Sequence, residues 1–240
     1  MSTSNTHKGF SLAPHEQLDT FQGGRLRIIQ SRQGYRFSID ALLLSGFVTV
    51  KKGDLVVDLG TGCGIVLLML LLERSDCRGV GLEIQEHLVS QAWRNARING
   101  FQDRMAVVLG DLCRPPFSRG CCDVVVCNPP YRRKDSGRIN PDRERAVARH
   151  EILASLDEIL ASARGLVRGK GRLAMIYPAV RLSDLMTRMQ KHGFEPKRVQ
   201  IVYPSLQSEA KLALVEATAG GRSGVRILPP LLEQGDYSVP

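Results

Sequence analysis

The chain has 240 residues, 43% of them hydrophobic, and its 33 Lys and Arg outnumber its 24 Asp and Glu for a net charge of +9. That length accommodates one domain of ordinary to large size with a buried core. The longest apolar run, Ile65 to Leu72, is far shorter than the roughly 18 residues of a membrane-spanning helix, so no membrane segment is expected and a polyanionic partner is admitted. Six cysteines (63, 77, 113, 121, 122 and 127) contain no C-x-x-C pair, and reduced core thiols without a metal centre are expected. Met1 to Gln17 is polar and lacks the apolar centre of an export signal. Residues 1–20 are expected to be a flexible start of a cytoplasmic protein.

Residues 21–37 alternate around glycine pairs and read as a small hairpin, after which Ser38 can cap a helix over Ile39 to Val50. Residues 21–50 are expected to pack as this hairpin and helix against a domain spanning 51–240, a single domain in all. Leu55 to Leu59 is a buried strand that runs into Gly60-Thr61-Gly62-Cys63-Gly64, with an apolar helix from Ile65 to Glu73. Glycines at 60, 62 and 64 let a backbone approach a ligand, and the helix start offers free N–H groups. The spacing fits neither phosphate motif: Ile65 stands where a dinucleotide loop needs glycine, and the Lys-Ser/Thr of a phosphate loop is absent. Asp58, at the strand end, would repel a diphosphate and attract an ammonium or sulfonium. A cationic cofactor is indicated.

Gly79 to Ile84 is the next strand, and Glu83 near its end can accept both hydroxyls of a ribose. A helix over Gln85 to Asn99 follows, then a strand over Met105 to Leu109 closed by Gly110-Asp111-Leu112. Asp111 could accept the exocyclic amine of an adenine, or serve as a turn residue. Cys121 to Val126 is a short apolar strand stopped by Cys127-Asn128-Pro129-Pro130-Tyr131. At the carboxyl edge of an open α/β sheet, Asn128 and the Pro129 carbonyl could each take one hydrogen of a planar amine, while Tyr131 stacks on its ring. A helix over Glu151 to Val167, a strand over Arg172 to Tyr177, a helix over Arg181 to His192, and strands over Lys197 to Tyr203 and Lys211 to Ala217 complete the series. The last two strands are joined by about seven residues, too few for a parallel crossover, so they should be antiparallel. The expected fold class is α/β: a seven-stranded, mostly parallel, doubly wound sheet with the last strand antiparallel and a small N-terminal extension.

With a glycine loop after the first sheet strand, acids after the second and third, and Asn-Pro-Pro-Tyr after the fourth, the chain resembles the class I methyltransferases that use S-adenosyl-L-methionine, a Rossmann-like fold. More narrowly, Tyr35-Arg36-Phe37-Ser38-Ile39-Asp40-Ala41-Leu42-Leu43-Leu44, Asn128 to Arg133, Ser136-Gly137-Arg138 with Asn140-Pro141-Asp142, Ala148-Arg149-His150-Glu151 and Leu228-Pro229-Pro230-Leu231 look like the bacterial tRNA adenine N6-methyltransferases acting on the anticodon loop of a valine tRNA. That resemblance implies that Asp58, Gly60, Gly62 and Gly64 hold the methionine part of the cofactor, Glu83 its ribose, and Asp111 with Leu112 its adenine. Asn128, Pro129, Pro130 and Tyr131 would form the catalytic pocket for the target base, with Asn128 also bordering the cofactor. Tyr177-Pro178-Ala179 departs from the histidine-arginine type of segment expected in that branch. The segment after the pocket carries Arg132, Arg133, Lys134, Arg138, Arg143, Arg145 and Arg149 against three acids, and is expected to grip the tRNA backbone. Two other readings remain: a protein glutamine N5-methyltransferase, whose relatives share Asn-Pro-Pro-Tyr but carry a helical substrate domain ahead of the sheet, and a noncatalytic RNA-binding module.

Overall fold

The computed structural model describes residues 6–7, 10–32, 39–129 and 154–233. Two short antiparallel units come first: β1 (Thr6–His7) with β2 (Phe10–Ser11), and the hairpin of β3 (Glu16–Phe21) with β4 (Leu26–Ser31). The hairpin thus lies earlier than the expected 21–37. Its first strand occupies part of the stretch expected to be flexible, because Gln22 to Arg25, with Gly23 and Gly24 at positive φ, makes the turn between the strands. Gln33 to Ser38, the rest of the predicted hairpin and the predicted cap, lie outside the described residues.

The helix α1 (Ile39–Phe47) ends three residues before the expected Val50. Glu216, from a distant strand, takes hydrogen bonds from the Thr49 N–H at 2.6 Å and the Thr49 hydroxyl at 3.0 Å, and this tertiary contact draws the chain out of the helix. Then come β5 (Leu55–Leu59), α2 (Ile65–Glu73), β6 (Arg78–Glu83), α3 (Glu86–Ile98), β7 (Met105–Leu109) and β8 (Cys122–Cys127). After the segment 130–153, which is outside the described residues, α4 (Leu156–Leu166) starts at a capping box. The Glu158 N–H donates to the Ser155 hydroxyl while the Glu158 side chain accepts from the Ser155 N–H. Ser155 itself is extended, so no helix runs through it from Glu151. The remaining elements are β9 (Val167–Pro178), α5 (Leu182–Lys191), β10 (Phe194–Tyr203), β11 (Leu212–Ala219), β12 (Arg226–Ile227) and β13 (Leu231–Leu232).

The main sheet runs β12-β10-β11-β9-β8-β5-β6-β7, with β13 also on β10. All pairings are parallel except those of β11, which lies antiparallel between β9 and β10. The seven expected strands are present, and β12 and β13 add two short ones. Strand residues alternate between two cores. Val124 and Val126 of β8 face the core shared with α1, α2 and α3, while Val125 and Cys127 face the one shared with α4 and α5. Helices on both faces make the sheet doubly wound, and both faces of its central strands are dry, which accounts for their unbroken apolar runs. Residues Ile65 to Leu71 of α2 are all buried, since the helix is covered by α1, α3, β4 and the sheet together. No helix among the described residues is long and apolar enough to cross a membrane.

Candidate active site at the carboxyl edge of the sheet

The register of three neighbouring parallel strands brings the site together. Leu59 of β5 is level with Leu82 of β6 and Cys127 of β8. The next residues are Gly60, Glu83 and Asn128, so the glycine loop, an acid and an amide emerge side by side, with strands spaced about 4.8 Å apart.

Gly60, Gly62 and Gly64 have φ of 75°, 58° and 88°, the left-handed region in which a side chain would be strained. The N–H groups of Gly60 and Thr61 donate to the Leu82 carbonyl at 2.9 and 3.1 Å, and the Gly62 N–H donates to Glu83 Oε2 at 2.9 Å. Glu83 Oε1 accepts from the Gln85 N–H at 2.9 Å. Each carboxylate oxygen is thereby oriented and retains acceptor capacity. Asp58 is 1% exposed and accepts from the Thr61 hydroxyl at 2.7 Å. Burial, reinforced by the nearby Glu83 charge and opposed by the Thr61 hydrogen bond, pushes its carboxyl up to about 7. These observations fit a ligand carrying positive charge and hydroxyls: a Cβ at Gly60 would meet open space above the loop, and two buried acids lie beside it.

Asp111 Oδ1 accepts from the Cys113 N–H at 2.8 Å, closing a turn, and the Gly110 N–H donates to the Glu83 carbonyl at 2.9 Å. Of the two readings of Asp111, the turn is the one with a visible contact. Leu112 packs half-buried against the core on the α4 side. Asn128 is half-buried and Pro129 buried. Pro130, Tyr131 and the cations Arg132, Arg133, Lys134, Arg138, Arg143, Arg145 and Arg149 lie outside the described residues. The hairpin cations are engaged in the fold: Arg25 with Glu73 at 3.3 Å, Arg27 with the Ile98 carbonyl, and Arg32 with the Glu16 carbonyl at 2.9 Å.

Tyr177 was noted in the sequence only as a departure. It lies two residues beyond Met175, which pairs with Cys127, and is 5% exposed, with the Arg181 guanidinium 5.0 Å from its ring centre. It therefore walls the edge next to Asn128 and Pro129. All six cysteines are free thiols; burial pushes Cys63 up to about 12 and Cys127 far above its usual range. Protonated thiols at these positions act as small apolar packing groups. Among the described residues no group of three or more His, Cys, Asp or Glu is placed to hold a metal ion.

Residues 50–227 match the family described as Methyltransferase domain. A protein of Porphyromonas gingivalis named tRNA1(Val) (adenine(37)-N6)-methyltransferase is 30% identical over 206 residues, covering 82% of this chain and 80% of its own. A protein of the same name from Phocaeicola vulgatus is 28% identical over 195 residues, covering 81% and 82%. Among solved structures, a predicted O-methyltransferase from Agrobacterium tumefaciens has the same fold, with a TM-score of 0.66 at 18% identity over 83% of this chain and 89% of that one. The chain belongs to the methyltransferase family.

Proposed function

We propose that the protein transfers a methyl group from S-adenosyl-L-methionine to the exocyclic N6 amine of an adenine in tRNA, in the anticodon loop of a valine tRNA. The observation that carries the reading is the side-by-side emergence of Gly60, Glu83 and Asn128 from three adjacent strands, which sets a cofactor loop against an amine-accepting amide. The names of the relatives support the RNA substrate. Such a substrate places the work in the cytoplasm.

When bound, S-adenosyl-L-methionine supplies a methyl group on a sulfonium, which is a good leaving group. Asp58 and the 60–64 loop would face its cationic end, Glu83 the ribose, and the edge near Asp111 and Leu112 the adenine. The chain's main task is alignment of the attacking nitrogen and exclusion of water. An aryl amine is a poor nucleophile because its lone pair is delocalised into the ring. Acceptors at the Asn128 side chain and the Pro129 carbonyl favour the pyramidal amine that develops in the transition state. Tyr131 would stack on the base, which must first be turned out of the loop at a cost of a few kcal/mol.

The test is to incubate the protein with labelled cofactor and either unmodified tRNA or ribosome release factors, then digest and analyse by mass spectrometry. N6-methyladenosine in a valine tRNA is expected. Label found only on a release-factor glutamine would reassign the substrate to protein, and no transfer to either, with the cofactor bound, would leave an RNA-binding module.

A further inference from the structure

Helix α3 carries a polar stripe at Gln91, Arg94, Asn95 and Asn99 that faces the N-terminal hairpin. Asn95 is fully buried. Its Oδ1 accepts from the Ile29 N–H at 2.7 Å, and its Nδ2 donates to the Ile29 carbonyl at 3.0 Å and to the Cys63 carbonyl at 2.9 Å. Asn99 repeats the device two strand residues away, accepting from the Arg27 N–H at 2.9 Å and donating to the Arg27 carbonyl at 2.7 Å. The match is geometric: four helical residues advance about 6 Å, and two strand residues about 6.7 Å. Two side-chain amides thus take the place of a neighbouring strand along the edge of β4. The other strand is held by Glu16, 3% exposed, which accepts from Arg94 and Gln91. Burial opposes its charge, yet hydrogen bonds from Arg94, the Ala13 N–H and Gln91 hold its carboxyl down at about 2.

Asn95 and Asn99 differ in the target of their remaining amide N–H: for Asn99 it is the Asn95 carbonyl at 2.8 Å, within α3, and for Asn95 it is the carbonyl of Cys63 in the middle of the glycine loop. The rest of that loop is tied to β5 and β6, through the Asp58 carboxyl, the Leu82 carbonyl and Glu83. Gly64 closes against α3 as well, since a Cβ there would meet Ala92 Cβ at 3.3 Å and Met105 Cε at 2.7 Å. We propose that Asn95 is a positioning residue for cofactor binding, which sets the shape of the 60–64 loop by linking it to the N-terminal hairpin, so that the hairpin acts on the cofactor site through this link. This rests on the cofactor proposed above and is independent of the tRNA substrate.

The experiment compares Asn95→Asp and Asn95→Ala with Asn99→Ala, reading affinity for S-adenosylhomocysteine by calorimetry and Tm by melting. Asn95→Asp keeps the acceptor for the Ile29 N–H and sets an oxygen against both the Ile29 and the Cys63 carbonyls in place of a donor. Expected are a loss of about tenfold or more in affinity for the Asn95 variants and a change within about twofold for Asn99→Ala, even where the Tm values fall alike. Equal affinities for all variants, or an equal loss in Asn99→Ala, would overturn the proposal, the latter because docking of the hairpin alone would then account for the effect. Should neither Asn95 variant fold, hydrogen exchange on the parent protein decides. By reciprocity, the ligand must slow exchange of the 26–31 amides if the link exists, and unchanged exchange there rejects it. Failure of the parent to bind the ligand at all would instead reject the proposed cofactor.

Discussion

Over β5 and β6 the carboxyl edge of the sheet presents two buried acids, Asp58 and Glu83, each already hydrogen-bonded within the loop that they face, whereas over β8, β9 and β10 the described residues at that edge are the amide of Asn128, the buried Pro129, Tyr177 with Arg181 on its ring, and apolar side chains. Val180 and Leu206, in the loops after β9 and β10, are 91% and 75% exposed. A cleft of about 370 Å³ at the end of β10 is lined by Ile201, Tyr203, Leu206, Ile227, Leu228 and Pro230. Under the proposed function, the contrast follows from what each half would hold. A charged, hydroxyl-bearing cofactor needs acceptors fixed before it arrives, because a buried carboxylate is costly unless it is partnered. A flat base needs faces to lie on and only a few acceptors to orient it.

The sharpest way to separate the halves is Asn128→Ala. It is expected to lower methyl transfer by about 100-fold or more with cofactor affinity unchanged, because the amide acts on the amine in the transition state. An equal loss of cofactor binding in calorimetry would place Asn128 in the cofactor half. Glu83→Ala is the mirror experiment, expected to weaken the cofactor by about 1–3 kcal/mol as ribose hydroxyls lose a charged acceptor. The Gly62 and Gln85 N–H groups lose their partner too, so Tm should fall in the same variant. An unchanged dissociation constant would remove Glu83 from the site.

Replacing Arg132, Arg133 and Lys134 together by Ala tests the base half from the RNA side. The salt dependence of tRNA binding should flatten by up to about three phosphate contacts with cofactor affinity constant. Equal binding to the parent at every salt concentration would move the RNA grip elsewhere, and the hairpin is a poor substitute, since Arg25, Arg27 and Arg32 are already engaged.

The last test concerns pH. With its carboxyl raised from 3.8 to about 7, Asp58 is protonated in the free protein below neutrality. Its contribution to stability is fully present below the unfolded value of 3.8 and is lost as pH rises through about 7. A cationic ligand favours the ionised form, so affinity for S-adenosyl-L-methionine should fall by up to about tenfold per pH unit below 7 and level off above it. Calorimetry between pH 5.5 and 8 checks this, and Asp58→Asn should bind more weakly with a flat profile. A flat profile in the parent would show that Asp58 does not face the charge.

Much of the candidate site was legible because its residues are announced locally. Asp58, Glu83 and Asn128 each sit at or just past the end of an apolar run, and a strand buried on both faces cannot hide that run among polar residues. The Ser155 capping box was equally local and was passed over, with the helix begun at Glu151 instead. Asn95 was not legible as a functional residue. On the sequence it is one polar residue in an amphipathic helix, and Asn99 was read only as the end of that helix.

The amino-acid sequence by itself determined the order of strands and helices, the antiparallel return forced by a short connection, and the residues delivered to the sheet's carboxyl edge, since periodicity, turn residues and loop length act within a few residues. Tertiary structure alone decided which strands lie side by side, how far α1 runs before Glu216 takes hold of Thr49, and how Asn95 joins Ile29 to Cys63. Those outcomes depend on groups 32 to 167 residues apart in the chain, whose meeting follows from burying two cores at once and leaves no trace in any local pattern.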